Sequence, residues 1–346
     1  MSRPPSPPSP SLLLPLLLPL LLLAAAARGA AGAGGADMCV LFLAQNVRNF
    51  HLGRVAFDQK ALLDLIELPA TLTQAGGGVA AGADEGQFYI PLQGTTSLID
   101  VNILKNTTSL KAVSPPKGYS GSFAFYTMQL NDAVGDLWAL LSAYPTWFAA
   151  ATVFPNNGTS SALTANFAPS IASKFDWIKV GVATVDTKRG LFVFVAGVGA
   201  SDVESLVSVK AGDPSAPVQF IEVPGPANNS SDIDFLGYSA PLDLFVASTF
   251  WIKTNIAAIQ VMAADGKGGA AWETIYSWKV DAELDFELGN AALSKDGKTF
   301  FVALDNGKSR APQYFEFDLV AKKLVSSFVV SASQWPELIT AEVVAC

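Results

Sequence analysis

The residues best suited to chemistry in this chain are acidic and widely scattered: Asp176, Asp232, Asp234, Asp285, Glu287 and, near the C-terminal end, Glu342. Carboxylates gathered from separate segments suit a hard divalent cation such as Ca2+, which takes oxygen ligands. A cation held that way polarises a carbonyl and activates water. The competing reading is that these residues cap turns and bond backbone amides. Other catalytic handles are missing. The single histidine, His51, stands alone, and the chain has no G-x-S-x-G elbow, H-E-x-x-H, P-loop or C-x-x-C. A second group is aromatic: Tyr144, Trp147 and Phe148, then Trp177, then Phe250 and Trp251. Aromatic side chains in loops offer rigid apolar faces to a carbohydrate or a protein, although packing between elements uses the same residue types.

What must position these residues is a repeat. Six-residue apolar runs begin at Cys39, Gln87, Asp136, Gly190, Asp243 and Thr299, a spacing of about fifty residues that signals stacked supersecondary units. Asp186-Thr187-Lys188-Arg189-Gly190 and Ser294-Lys295-Asp296-Gly297-Lys298 are turn sequences leading into such runs, and a turn followed by a β-branched and aromatic run is a hairpin signal. A second hairpin follows each run, clearest at Val55 to Leu65 and at Phe315 to Phe328. Four short strands per unit, repeated without long helices, predict an all-β, six-bladed β-propeller of antiparallel blades. In that fold the acidic residues stand where the innermost strands begin. The first unit lacks an opening strand, and the last complete unit is followed by a spare one, Ala341 to Cys346. The C-terminal strand is therefore expected to join the N-terminal blade, closing the ring and removing free sheet edges.

The ends and the composition point to export. Residues 1–36 read as a signal peptide and small-residue cleavage region, with leucine and alanine filling residues 11–27 apart from Ser11, Pro15 and Pro19. The alternative is a membrane anchor, since the apolar stretch approaches the roughly 17 residues a span needs. The two prolines and the absence of a basic stop-transfer cluster speak against it. Residues 37–346 are expected to form the propeller domain, with no further membrane span. Four Asn-x-Ser/Thr sequons, at Asn106, Asn157, Asn228 and Asn229, fit surface glycans on a secreted protein. The two cysteines, Cys39 and Cys346, fall in the two strands that would close the ring. A bridge between them suits an oxidising compartment, and two unpaired thiols are the alternative. A net charge of −8 disfavours nucleic acid, which wants basic patches.

The segment ALSKDGKTFFV from Ala292 resembles the A-x-S-x-D-G-K-x-x-x-V unit of YVTN-type propellers, which often have seven blades, so seven blades is the alternative. The repeat as a whole resembles the six-bladed superfamily of NHL, YWTD and gluconolactonase-like proteins. The gluconolactonase-like resemblance implies a metal at the channel mouth that serves lactone hydrolysis. Two functions follow as expectations. The first is a secreted, monomeric binding module for an extracellular protein or glycan. The second is a metal-assisted hydrolase of the lactonase type.

Overall fold

The computed structural model describes residues 38–43, 49–69, 79–92, 94–131, 134–143, 146–197, 204–212, 220–223, 231–251, 253–264, 271–279, 291–304, 313–330 and 342–345. All belong to the unit Asp37–Cys346. Blade 1 contains β1 (Met38–Leu43), β2 (Phe50–Ala56) and β3 (Ala61–Glu67). Blade 2 contains β4 (Ala80–Ala81), β5 (Gln87–Pro91), β6 (Ser97–Asn102) and β7 (Thr107–Ala112). Blade 3 contains β8 (Ala124–Asn131), β9 (Asp136–Ala143), β10 (Trp147–Phe154) and β11 (Thr159–Ala162). After a five-residue helix, α1 (Ala168–Ala172), blade 4 contains β12 (Trp177–Asp186), β13 (Leu191–Gly197), β14 (Glu204–Lys210) and β15 (Phe220–Val223). Blade 5 contains β16 (Ser231–Ser239), β17 (Leu244–Trp251), β18 (Ile256–Ala263) and β19 (Glu273–Lys279). Blade 6 contains β20 (Ala291–Leu293), β21 (Thr299–Leu304), β22 (Gln313–Asp318) and β23 (Lys323–Val329). The last strand, β24 (Glu342–Ala345), pairs antiparallel with β1 and completes blade 1 in the order β24-β1-β2-β3.

The fold is a six-bladed propeller. Strands β24, β4, β8, β12, β16 and β20 are neighbours in turn, and β20 returns to β24, so the innermost strands form a closed circuit. Each recurring apolar run is the second strand of its blade. It is apolar throughout because both of its faces are buried. Phe192 and Phe194 of β13 enter a cluster with Trp138, Leu140 and Phe148 of blade 3. Val193 and Val195, pointing the other way along the same strand, enter a cluster with Ile233, Leu236 and Phe245 of blade 5. Burial of each such side chain stabilises by about 1.5–3 kcal/mol. A lone blade would leave both of these faces in water.

The turns explain the polar punctuation. Gly86, Gly135 and Gly190 hold positive φ (67°, 74° and 65°) just before the second strands of blades 2, 3 and 4, a region that costs glycine little. Blade 5 places Asp243 at the matching position with φ 54°. Among the described residues no helix is long and apolar enough to cross a membrane.

Candidate functional site

Three innermost strands carry a β-bulge close to their start, and each bulge presents a polar residue toward the neighbouring blade. In β8 the extra residue is Tyr126, between the Phe125–Leu141 and Thr127–Leu140 pairs. In β12 residues 179–182 stand opposite Val195 alone. In β16 it is Asp234, between the Ile233–Thr249 and Phe235–Ser248 pairs. Bulges of this kind re-aim side chains. Tyr126 donates from its hydroxyl to the Ile178 carbonyl at 3.0 Å, tying blade 3 to blade 4. Lys179 crosses from blade 4 to blade 5.

The Lys179 ammonium is the centre of the site, at the end of the ring where the innermost strands begin, here termed the mouth. It bonds Asp232, stands 3.4 Å from Glu204 Oε1 and stands 3.5 Å from Asp234 Oδ1. Glu204 begins β14, and its other oxygen accepts the Ile233 N–H. Glu204 and Asp234 are nearly covered, with side chains 8% and 14% exposed, whereas Asp232 is 41% exposed. One cation thus faces three carboxylates in a half-buried place. Burial pushes the Glu204 carboxyl up to about 7, against the pull of Lys179 and its bond from Ile233. Burial likewise pushes Asp234 up to about 7, with Lys179 opposing and Asp232 and Glu204 adding to the rise. For Lys179, burial works to lower the pKa, but the neighbouring carboxylates outweigh it and hold the ammonium above the ordinary lysine range.

Of the acidic residues singled out in the sequence, Asp232 and Asp234 therefore share this site. Asp176 is exposed just ahead of β12, where its backbone N–H bonds the Gly197 carbonyl. Asp285 and Glu287 lie outside the described residues, and of Glu342 only the backbone is described, opposite Leu41. A metal does not fit what is described here. The carboxylates of Glu204, Asp232 and Asp234 converge on an ammonium, and among the described residues no group of three or more His, Cys, Asp or Glu is arranged around a metal position. Lys179 and Glu204 escaped the sequence reading. The available signal was a lysine inside the W-I-K-V-G-V run, because a charge in a strand buried on both sides needs carboxylate partners.

The aromatic residues divide. Trp147 is a correction to the expectation of a ligand-facing side chain: it is 9% exposed and stacks on Tyr119 at 4.2 Å within the blade 2–blade 3 core. It opens β10 and packs inward because that strand is buried. Trp177 does stand at the mouth, partly exposed, at the first position of β12. Its ring lies against Gly197, its partner across the ladder, where an added Cβ would come within 2.1 Å of Cζ2. Trp251 ends β17 opposite Ser231, partly exposed, with its indole Nε1 buried and unpaired in the protein. Phe250, opposite Asp232, packs against the blade 5–blade 6 core. Tyr144 lies outside the described residues. His51 is buried in β2 of blade 1.

No family model and no curated protein matches this chain. Solved structures do. A chain of a nidogen/laminin complex is similar with a TM-score of 0.53 at 11% identity, covering 89% of this chain and 98% of that one. A protein of Agrobacterium tumefaciens assigned as a TolB is similar with a TM-score of 0.51 at 9% identity, covering 90% and 99%. A protein of Bacteroides fragilis assigned as a 6-phosphogluconolactonase has a TM-score of 0.50 at 10% identity, covering 90% and 99%. What they share with this chain is the propeller. Those neighbours include a protein complex and an assigned lactonase, so fold alone selects neither role.

Proposed function

We propose that this chain is a secreted, N-glycosylated propeller that binds an extracellular protein or carbohydrate at the mouth of blades 4 and 5. The observation that carries this reading is the placement of Lys179. Its ammonium occupies the convergence point of the carboxylates, while Asp232 and Trp177 at the same end stay partly exposed. A carboxylate and an indole at one end of the ring match the usual composition of a small polar ligand site, an apolar platform with few fixed polar groups. A metal-assisted lactonase would instead need those carboxylates open to a cation.

Export is supported by the sequons. Asn106 and Asn157 are both exposed, in the turns joining the third and fourth strands of blades 2 and 3. Asn228 and Asn229 lie outside the described residues. A Cys39–Cys346 bridge is part of the reading. Cys39 is buried in β1 opposite Val344, two residues before the second cysteine, and no free cysteine is found among the described residues. Closing a loop of about 300 residues corresponds to roughly 5 kcal/mol in the chain-entropy account.

The decisive experiment screens the purified secreted protein on arrays of glycans and extracellular proteins, then repeats each hit with Trp177→Ala and Asp232→Asn. At least a ~10-fold loss of affinity in both variants is the expected result. Hits indifferent to both substitutions, or lactone hydrolysis abolished by a chelator, would overturn the reading.

A further inference from the structure

We infer that Phe154 is a stacking platform for the first N-acetylglucosamine of a glycan on Asn157, so that this sugar packs as part of the outer hairpin of blade 3. The inference rests on the export reading above, since only a chain that enters the secretory pathway meets the transferase. It concerns the end of the ring opposite the mouth, where the third strand of each blade turns into the fourth.

The geometry carries it. β10 ends at Phe154 and β11 begins at Thr159, and the sequon Asn157-Gly158-Thr159 closes the turn between them. The Asn157 N–H bonds the Phe154 carbonyl at 3.1 Å, forming a β-turn that holds the two Cα atoms within about 7 Å of each other. Phe154 and Thr159 are partners across the ladder, so the ring and the sequon's threonine leave on one face of the blade. Asn157 and Thr159 are exposed, and Phe154 is partly exposed. Its neighbour Val153 enters the blade 2–blade 3 core. Phe154 points the other way, and among the described residues it joins neither that cluster nor the one between blades 3 and 4. A large ring is left without a core to fill, three positions before an asparagine that can carry a sugar.

The chemistry of the two groups matches. One face of a pyranose presents C–H groups of slight positive charge, and the face of an aromatic ring is negative, so they stack while the hydroxyls stay in water. The turn beneath is firmly held: Gly158 has φ 63°, its carbonyl accepts the Ser114 N–H at 2.8 Å, and the Ser160 hydroxyl donates to the Ser114 carbonyl at 2.7 Å. Ser114 follows β7, so a sugar fixed on this turn braces the joint between blades 2 and 3. Asn106 supplies the contrast. Its sequon lies in the equivalent turn of blade 2, but Ile103, three positions before it, packs against the blade 1–blade 2 core, and Val101, opposite Thr108, is fully buried. A glycan there has no ring to stand on.

The test expresses the full chain in a secreting eukaryotic host and trims every glycan to a single N-acetylglucosamine. It compares wild type with Asn157→Gln, Phe154→Leu, the double variant and Thr108→Val, which removes the other sequon while leaving Asn106 at φ 50° in place. Asn157→Gln is expected to lower the melting temperature by about 2 °C, the shift of one stacked pair in a domain of this size, and to have no effect once Phe154→Leu is present. Loss of the Asn106 sugar should leave it unchanged. Should Phe154→Leu fold poorly, NMR of the trimmed wild type decides: the phenyl ring current should move the Asn157 sugar signals upfield of those on Asn106. Unshifted signals, equal losses with and without Phe154→Leu, or secreted protein with Asn106 glycosylated and Asn157 bare would each sink this inference and leave export standing. A chain retained in the cell with both asparagines bare would overturn the export reading together with it.

Discussion

The joint between blades 4 and 5 is charged at both ends, and the ends are built on opposite principles. At the end opposite the mouth, Arg189 Nη1 bonds Asp186 Oδ2 at 2.6 Å, and Nη2 reaches both oxygens of Asp243 at 3.0 Å. Lys188 lies 3.6 Å from Asp243, and the Tyr238 hydroxyl donates to Asp243 at 2.8 Å. Two cations meet two carboxylates. Burial is the largest single influence on Asp243 and opposes its ionisation, but the bonds from Tyr238 and Arg189 together with the charges of Arg189 and Lys188 outweigh it and hold its carboxyl below the usual range. At the mouth one cation meets three carboxylates, and both Glu204 and Asp234 rise to about 7. The balanced end is a fastener, because a bidentate guanidinium with satisfied partners gains geometry as well as charge. The unbalanced end works against folding when fully ionised, as the binding role proposed for the mouth leads one to expect.

The largest expected effect comes from breaking the fastener. Arg189→Ala leaves the Asp186 side chain, 0% exposed, without its guanidinium. Removing one partner of a buried pair costs about 3 kcal/mol, readable as a lower urea midpoint with an unchanged slope. A loss no larger than that of an ordinary surface substitution would mean that the two ends do not differ in kind.

The second expectation concerns pH and has opposite signs at the two ends. Glu204 and Asp234 have folded values above their unfolded ones. The native state therefore holds extra protons between about pH 4 and 7, and this end loses stability as pH rises through that window. Asp243 has a depressed folded value, so its contribution is present above its unfolded pKa and is lost as pH falls through the folded one. Glu204→Gln should therefore raise stability at pH 8 by on the order of 1–2 kcal/mol, read as a higher melting temperature, and lose that advantage near pH 5. Melting curves of the two proteins across that range that stay parallel would refute the charge-surplus account.

The sequence disclosed the ring more fully than the site, for a physical reason. A second strand such as β13 buries both faces, Phe192 and Phe194 one way and Val193 and Val195 the other, so its apolar run stands out and recurs with every blade. The spare strand before Cys346 was legible because a ring of complete blades has nowhere else to put it. The mouth was harder to see. Lys179 meets Glu204 and Asp232 across 25 and 53 positions of chain, and even counting back from each recurring strand passes over the bulge that displaces it. That counting selects Asp176, three residues before Lys179 and ahead of the strand. Trp147 misled differently: it follows a strand as a loop residue would, yet it opens β10 and stacks on Tyr119.

The smallest expected effect isolates backbone from charge at the fastener. Asp243 sits at φ 54° where blades 2, 3 and 4 have glycine, so Asp243→Gly relieves a conformation that disfavours side chains. Were backbone strain the whole account, that substitution would stabilise, or at worst cost the entropy of a freer unfolded chain. It also removes two bonds from Arg189 and one from Tyr238. Bonds to charged partners at a site about one-third exposed outweigh the relief, and the net expectation is a loss of about 1 kcal/mol. Asp243→Asn separates the terms further, since asparagine tolerates the left-handed region as well as aspartate does while giving up the charge. If the asparagine variant matches wild type and only the glycine variant falls, geometry rather than charge holds this end. The contrast with the mouth would then narrow to hydrogen bonding, with the surplus of charge left as a property of the mouth alone.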